Sequence, residues 1–279
     1  MSPGPGPGRR GTAGTGPGLS FTSARVKRLR QLVARPAARA RERAFVIEGA
    51  TLVADALDAG VAMECLFVAA PDGHRGDLPA VVGRCEETGI PVHELAPGVL
   101  ERVASTVSPQ PVVAVARAVD VDIESLAAAR LVLVCIDVRD PANLGTILRS
   151  AEASGAGGII CCDGSVDLYN PKCVRASAGS LFHTRIVARG EPVQVLATLG
   201  GWGLRRLGTR AVGGTPYHLA DLAAPTALVL GNEAQGLTAA AAAAVDGWVS
   251  IPMAGRSESL NVGMAAAVLC FEAARQRSA

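Results

Sequence analysis

Three short stretches near the C-terminal end carry most of the information about the fold: LVLGNEAQGL at residues 228–237, WVSIPM at 248–253 and SESLNVGM at 257–264. In these stretches apolar segments adjoin turns that are rich in Gly, Asn, Ser and Pro. Such turns leave backbone N–H and C=O groups free at a strand end, where a small ligand can meet them. The sequence therefore predicts a ligand pocket that is built largely from backbone.

Around these stretches, fully apolar segments alternate with helical patterns. Strands that are apolar along their whole length are typical of a parallel sheet covered by helices on both faces. We predict strands at Leu131–Ile136, Gly158–Cys162, His183–Val187, Leu204–Gly208, Ala227–Leu230 and Trp248–Ile251, and helices at Leu144–Ser154, Leu237–Val245 and Leu260–Arg275. The last helix is apolar almost all round, so we expect it to be buried within the domain or between subunits.

The N-terminal part predicts a second, smaller α/β domain. Its pattern indicates helices at Ser23–Arg35, Leu52–Leu57 and Ala80–Glu87, and strands at Phe45–Glu48, Cys65–Ala69, Val92–Leu95 and Val112–Arg117. We therefore expect three parts: a disordered Gly/Pro-rich tail at 1–20, a small α/β domain at 21–120, and a larger α/β domain at 121–279.

Composition limits the class of protein. With 279 residues and 49% hydrophobic content, the chain can bury one large core or two moderate ones, and its length favours two domains. Apolar runs of membrane-spanning length are absent, and the first twenty residues lack the apolar core of a secretory signal, so we expect a cytoplasmic protein without membrane contact. The seven cysteines form no C-x-x-C pair, which favours reduced core thiols over disulfides or a metal site.

Charge is distributed unevenly along the chain. Residues 1–47 contain ten Lys or Arg and one acid, about +9, and the remainder contains 17 basic and 24 acidic residues, about −7. A basic end on a mildly acidic protein suggests contact with a polyanion, and the alternative is a solvated basic tail. The candidate contacts are Arg25, Lys27, Arg28, Arg39, Arg41 and Arg43.

A polar constellation follows the first strand of the larger domain, at residues 136–152. The strand ends at Asp137, Pro141 redirects the chain, and Asn143 stands where a helix N-cap is expected. Arg149 lies two turns into that helix, with Glu152 three residues later to hold it; the alternative is an ordinary surface pair. A similar Asn-Pro-x-x-x-Arg cluster at 170–175 adds Arg175. These cations fit an RNA phosphate or an anionic transition state.

Two glycine-rich stretches invite other interpretations that their context does not support. Gly155–Gly158 ends a helix and opens a strand, whereas a dinucleotide fingerprint follows a strand and opens a helix. Gly231–Gly236 has the glycine spacing of a phosphate loop, but Leu237-Thr238 replaces the required Lys-Ser/Thr. A nucleoside triphosphate site is therefore disfavoured.

Three elements together resemble a known family. Asn143-x-Gly145…Arg149, Leu230-Gly-Asn-Glu-x-x-Gly236 and Ile251-Pro-Met…Ser259-Leu-Asn-Val262 are similar, in order and separation, to the signature motifs of the SpoU/TrmH family of RNA 2′-O-ribose methyltransferases, part of the knotted SPOUT superfamily. The resemblance covers about residues 131–275. Arg25-Val-Lys27, Arg41-x-Arg-x-Phe45-x-x-Glu-Gly49 and Ser105-x-x-x-Pro109 resemble the substrate-binding domain that often precedes the catalytic one.

The resemblance implies a deep trefoil knot, S-adenosylmethionine as cofactor and a homodimer. We expect no metal, because the cysteines and the scattered histidines lack metal-ligand spacing. The resemblance also implies Arg149 as the principal catalytic residue, with Asn143, Glu233, Ser259 and Asn261 as positioning groups. Because guanidinium stays protonated, we expect Arg149 to bind phosphate and stabilise a developing alkoxide rather than act as a base. The implied cofactor contacts are Gly231, Ile251 and Leu260, with Leu230, Met253, Asn232 and Gly236 beside them. The implied RNA contacts are Arg25, Lys27, Arg28, Arg41, Arg43 and Arg175.

The target RNA stays open at this stage. The basic N-terminal part favours ribosomal RNA, most simply 23S, including the possibility of an antibiotic-resistance methylase, and transfer RNA is the alternative substrate. A non-catalytic RNA-binding or ribosome-associated protein is a competing hypothesis, against which the intact motif residues argue. A dehydrogenase on a doubly wound sheet comes third, and the misplaced glycine cluster counts against it.

Overall fold

A computed structural model describes residues 18–69, 77–105 and 109–278 of the chain. The prediction of a disordered tail falls mainly on residues 1–17, outside the described residues. Leu19 is held in place, because it forms a parallel bridge with Leu95 and its carbonyl accepts a 3.1 Å hydrogen bond from the Ala96 N–H. The predicted domain bounds of 21–120 and 121–279 stay predictions.

The N-terminal part contains a mixed sheet flanked by helices. In the described residues its elements are α1 (Ala24–Ala34), α2 (Pro36–Glu42), β1 (Ala44–Glu48), α3 (Ala50–Asp58), β2 (Met63–Ala69), α4 (Leu78–Glu87), β3 (Val92–Leu95), α5 (Val99–Val103) and β4 (Val112–Arg117). The sheet order is β1-β4-β2-β3, with β4 antiparallel to both of its neighbours and β2 parallel to β3. Each predicted strand is present, and α1 packs Val26, Leu29 and Leu32 against one face of the sheet.

The C-terminal part begins with a short 3-10 turn at Ile123–Leu126. It continues with β5 (Leu131–Cys135), α6 (Pro141–Ala153), β6 (Gly158–Cys161), α7 (Pro171–Ala176), α8 (Ser180–His183), β7 (Ile186–Val187), α9 (Pro192–Gly201), β8 (Arg205–Thr209), β9 (Thr215–Pro216), β10 (Thr226–Leu230), α10 (Ala239–Ala243), β11 (Gly247–Ser250) and α11 (Val262–Ser278).

The second sheet is parallel throughout, with the order β7-β6-β5-β10-β8-β11-β9. β10 lies between β5 and β8, although it follows both along the chain, and all five of its residues are buried. Since the strands are parallel, the segments that leave β5, β8, β10 and β11 meet at one edge. The predicted fold class, a small α/β domain followed by a parallel α/β sheet, is confirmed. The implied trefoil knot stays a prediction.

Some predicted elements differ from the observed ones. The strand predicted at His183–Val187 is wrong at its start, because His183 ends α8 and only Ile186–Val187 pairs with β6. The helix predicted at Leu237–Val245 is limited to Ala239–Ala243, because the Thr238 hydroxyl caps it through the Ala241 N–H at 3.3 Å. In the described residues no helix is long and apolar enough to cross a membrane, and all seven cysteines are buried and free.

The two parts are joined by buried polar contacts. Arg39 of α2 is almost inaccessible: its guanidinium pairs with Asp167 at 2.6 Å and also donates to the carbonyls of Leu32 and Val33. The expectation that Arg39 contacts RNA is therefore wrong, since its side chain is only 2% exposed and makes three hydrogen bonds within the protein. Next to it, the rings of Phe45 and Tyr169 pack with centroids 4.7 Å apart.

Replacing Arg39 by Ala should destabilise the protein by about 3 kcal/mol, because it leaves the Asp167 carboxylate and two carbonyls without their donor. Arg41→Ala is the matched control. Its side chain is 68% exposed and pairs with Glu42 at the surface, so the loss should stay within about 0.5 kcal/mol. Urea unfolding followed by circular dichroism measures both. Equal stabilities of the two variants would contradict the structural role of Arg39.

Candidate active site

A cavity of about 630 Å³ lies at the edge where the segments after β8, β10 and β11 meet the start of α11. Its wall is largely apolar and includes Leu237, Val249, Ile251, Met253 and Leu260. Within the described residues, no protein group pairs with the backbone N–H or C=O of Ile251, Met253 or Leu260. The cavity therefore combines apolar side chains with free backbone groups, as a site for a flat heterocycle requires.

The loop after β10 is folded back tightly on its first residue. A side chain at Gly231 would place its Cβ 2.6 Å from the backbone carbon of Gly236 and 2.8 Å from the Leu237 nitrogen, so only glycine fits. Asn232 and Gly236 exchange backbone hydrogen bonds of 3.0 and 2.9 Å. The Asn232 side chain donates to the Asp137 carbonyl at 3.0 Å and thus fastens this loop to the end of β5.

A chain of side-chain hydrogen bonds connects three motifs that are far apart in sequence. Asn143 Nδ2 donates to Glu233 Oε1 at 2.8 Å, and Asn261 Nδ2 donates to Asn143 Oδ1 at 2.9 Å. Asn261 Oδ1 accepts from the Gly263 N–H at 2.9 Å and caps α11, which explains why that helix begins at Val262 and not at Leu260. Three of the five predicted catalytic residues thus form one unit.

The start of α6 differs from the sequence prediction. Asp140, not Asn143, is the N-cap: its carboxylate accepts from the Ala142 N–H at 2.6 Å, and this hydrogen bond lowers the pKa of the carboxyl group. The residue before a proline is held extended, so Pro141 becomes the first helical residue and Asp140 the cap. Asn143 is thereby released from capping, and its side chain is free to bridge the other two motifs.

The arginine of this helix stands apart from the cavity. Arg149 is exposed and does not line the cavity, and in the described residues it has no ion pair, so the pairing with Glu152 expected from the sequence is wrong. Gly145 of the same Asn-x-Gly…Arg motif is required for packing, because a Cβ at this position would lie 2.4 Å from the Ala176 Cβ. The glycine allows α6 to pack closely against α7.

Most residues predicted to bind the cofactor line the cavity. Six of them do so, namely Gly231, Asn232, Gly236, Ile251, Met253 and Leu260, and so do Glu233, Ser259 and Asn261. Leu230 is fully buried beneath it as the last residue of β10. The sequence analysis did not predict the end of β8 and the residues after it, Thr209, Arg210 and Ala211, as part of the site. The sequence feature that could have indicated this segment is Gly208-Thr-Arg, where a strand runs into a turn. Trp248 opens the stretch 248–253 that predicts the pocket, but it was not among the predicted contacts.

Most of the arginines that were predicted to contact RNA form ion pairs within the protein. Four of those arginines are paired with carboxylates: Arg28 with Glu42 and Glu64, Arg41 with Glu42, Arg43 with Asp120, and Arg175 with Glu48. The hydrogen bond from Arg28 lowers the pKa of Glu42. Arg25 and Lys27 are exposed on α1. Two arginines that were not predicted, Arg30 and Arg102, lie 4.1 and 5.3 Å from the centre of the Phe21 ring.

Two protein-family models match this chain. The model of the SpoU rRNA Methylase family matches residues 130–271, and that of the MRM3-like substrate binding domain matches residues 23–114. The chain belongs to the SpoU rRNA methylase family. It is 36% identical over 234 residues to the 23S rRNA (guanosine(2553)-2′-O)-methyltransferase RlmP of Bacillus subtilis, covering 84% of this chain and 89% of that protein.

Two further matches, one of sequence and one of structure, come from Streptomyces viridochromogenes. A 23S rRNA (uridine(2479)-2′-O)-methyltransferase is 41% identical over 142 residues, 49% of this chain and 50% of that protein. The crystal structure of the SpoU methyltransferase AviRb in complex with AdoMet superposes with a TM-score of 0.82 at 29% identity, covering 92% of this chain and 99% of that one. The predicted enzyme class, an RNA 2′-O-ribose methyltransferase that uses S-adenosylmethionine, is confirmed.

We expect Gly231→Val to abolish cofactor binding, because the branched side chain would displace the Gly236–Leu237 backbone that forms the cavity wall. Calorimetric titration with S-adenosylmethionine measures it. Gly255→Val is the control, since a Cβ at that position meets nothing within 4 Å. Wild-type affinity in Gly231→Val would show that the donor site lies elsewhere.

Proposed function

We propose that this chain transfers a methyl group from S-adenosylmethionine to the ribose 2′-hydroxyl of one nucleotide in 23S rRNA. The observation that carries the proposal is the hydrogen-bonded unit of Glu233, Asn143 and Asn261, two members of which line the donor-sized cavity. The choice of 23S rRNA is supported by the relatives named for that RNA. The possible role in antibiotic resistance stays a prediction.

The cavity fits the proposed cofactor. Its volume of about 630 Å³ is within the usual range for small-ligand sites, roughly 300–1,000 Å³. Ile251, Met253 and Leu260 offer apolar surface to the adenine ring, and their unpaired backbone groups can recognise its polar edge. When bound, S-adenosylmethionine supplies a methyl group on a positively charged sulfur, which needs little further activation. The protein's task is therefore to place and polarise the acceptor oxygen.

Two polar groups at the cavity are free to bind the acceptor ribose. The second carboxylate oxygen of Glu233 and the hydroxyl of Ser259 have no protein partner within the described part of the chain. Because Asn143 holds the first carboxylate oxygen of Glu233, the second oxygen is fixed in direction. We assign Glu233 and Ser259 to hydrogen bonds with the ribose hydroxyls, and Asn143 and Asn261 to holding Glu233 in place.

Arg149 is assigned to the RNA and not to the cofactor. It is exposed, lies outside the cavity of its own chain and has no carboxylate partner among the described residues, so its donors are available to a phosphate. A guanidinium beside the reacting hydroxyl stabilises the negative charge that develops on its oxygen as the proton passes to solvent water.

Arg149→Ala should lower the rate of methyl transfer by about 100-fold or more, as expected when one donor to a developing oxyanion is removed. Affinity for S-adenosylmethionine should stay within about twofold, because Arg149 does not line the cavity. Glu152→Ala, an exposed change one turn further along α6, is the control. Single-turnover transfer of labelled methyl to 23S rRNA provides the rate, and activity of Arg149→Ala within a few-fold of wild type would contradict the assignment.

We also propose a homodimer that uses α11. Met264 and Phe271 on this helix are 60% and 53% exposed, an unusual state for large apolar side chains, and they lie seven residues apart, on one face. In such a dimer the site can combine Arg149 of one chain with the cavity of the other.

Mixing two inactive variants tests this arrangement. If the site is shared, re-associated Arg149→Ala and Gly231→Val chains should recover about a quarter of wild-type activity, because half of the dimers are mixed and each has one complete site. A mixture without activity, although size measurements show mixed dimers, would place both groups in one chain.

For RNA binding, the ion pairs separate the basic residues into two classes. Arg25, Lys27 and Arg30 are exposed and have no ion pair among the described residues. Replacing these three residues by Gln should make the slope of log affinity against log salt less negative by about 2, since each lost phosphate contact removes about 0.7–0.9. Replacing the ion-paired Arg28, Arg41 and Arg43 by Gln should change the slope less. Filter binding of 23S rRNA over a salt series measures both. An unaltered slope in both variants would identify the basic region as a solvated surface.

A further inference from the structure

The walls of the donor cavity carry very little charge. Of the described residues that line it, Arg210 is the only cation and Glu233 the only carboxylate. Glu233 is already engaged by Asn143 at 2.8 Å. Arg210 has no carboxylate partner among the described residues, so it is the one positive group in the cavity that is available to a ligand.

Arg210 is held in position by the surrounding structure. Its backbone N–H donates to the Val249 carbonyl at 3.1 Å, and its guanidinium donates to the Gly213 carbonyl. The guanidinium also lies over the Trp248 ring, 4.9 Å from the centroid. A guanidinium has five N–H donors, so most of them stay free after the bond to Gly213.

The tryptophan that supports Arg210 is itself tightly seated. A Cβ at Gly208 of β8 would lie 2.8 Å from a carbon of the Trp248 ring, so the ring packs directly on the bare backbone of the neighbouring strand. A stacked, pre-positioned guanidinium loses little freedom when it binds an anion. Arg210 is therefore arranged as a receptor for a carboxylate at the wall of the cavity.

We propose that Arg210 binds the carboxylate of the methionine end of the donor, which rests on the proposed function of the cavity. S-adenosylmethionine has an apolar, aromatic adenosine end and a charged amino-acid end. Ile251, Met253 and Leu260 suit the first, and Arg210 supplies the countercharge for the second. Arg210 is thus a specificity-determining residue that favours nucleosides carrying an amino acid over the adenosine part alone.

Calorimetric titration of the full chain with two probes tests this role. S-adenosylhomocysteine carries the amino-acid end without the sulfonium charge, and 5′-methylthioadenosine has the same adenosine and sulfur but no carboxylate. Arg210→Gln should weaken S-adenosylhomocysteine about tenfold or more and leave 5′-methylthioadenosine within about twofold. Arg210→Lys should restore part of the loss, because it keeps the charge but not the planar fork. Arg256→Gln, which removes a positive charge from the neighbouring 251–261 segment without lining the cavity, should change neither.

Two outcomes would overturn the inference. Equal weakening of both probes would mean that Arg210 supports the adenosine site or the fold of the loop, and unchanged binding of S-adenosylhomocysteine would mean that its carboxylate lies elsewhere. A wild-type chain that binds neither probe would contradict the proposed function as well, and this result separates the two failures.

Discussion

The side-chain amide of Asn143 is the contact on which the site depends. A single amide both donates and accepts, so Asn143 can hold the Glu233 carboxylate with its nitrogen and receive the Asn261 amide with its oxygen. An Asp at this position would repel Glu233, and an apolar residue would release both partners. Asn261 in turn caps α11, so the same contact fixes the loop after β10, the loop after β11 and the start of the last helix.

This contact is possible only because of the strand order. β10 is hydrogen-bonded to both β5 and β8, and the parallel direction brings their carboxyl ends to one edge of the sheet. Gly145 then lets α6 approach α7, and Gly231 lets its loop fold back on itself. Both glycines therefore serve close packing of the protein's own backbone, and the cavity is a result of that packing.

The sequence predicted the two α/β parts, the donor wall and the strands other than β9 and the start of β7, because apolar runs and turn residues are local signals. The sequence predictions were wrong where the role of a side chain depended on tertiary contacts. The basic N-terminal part and Arg175 were predicted to contact a polyanion, but Arg39, Arg28 and Arg175 pair with acids that are distant in sequence, namely Asp167, Glu64 and Glu48. The prediction that Asn143 caps α6 is wrong. Pro141 occupies the first helical position and not a turn before the helix, and this makes Asp140 the cap. Gly208-Thr-Arg marks a strand running into a turn, but the sequence does not show the role of Arg210, because that role depends on the Trp248 ring and the cavity around it.

Locating the transferred methyl group tests the account most directly. Purified chain would be incubated with unmodified 23S rRNA and labelled S-adenosylmethionine, and the RNA then cleaved with alkali. A methylated 2′-oxygen cannot attack the adjacent phosphate, so it leaves one bond uncut. Transfer to a ribose 2′-oxygen should place the label at a single alkali-resistant position. Label on a base with every bond cleavable, or no label in the presence of bound cofactor, would contradict it.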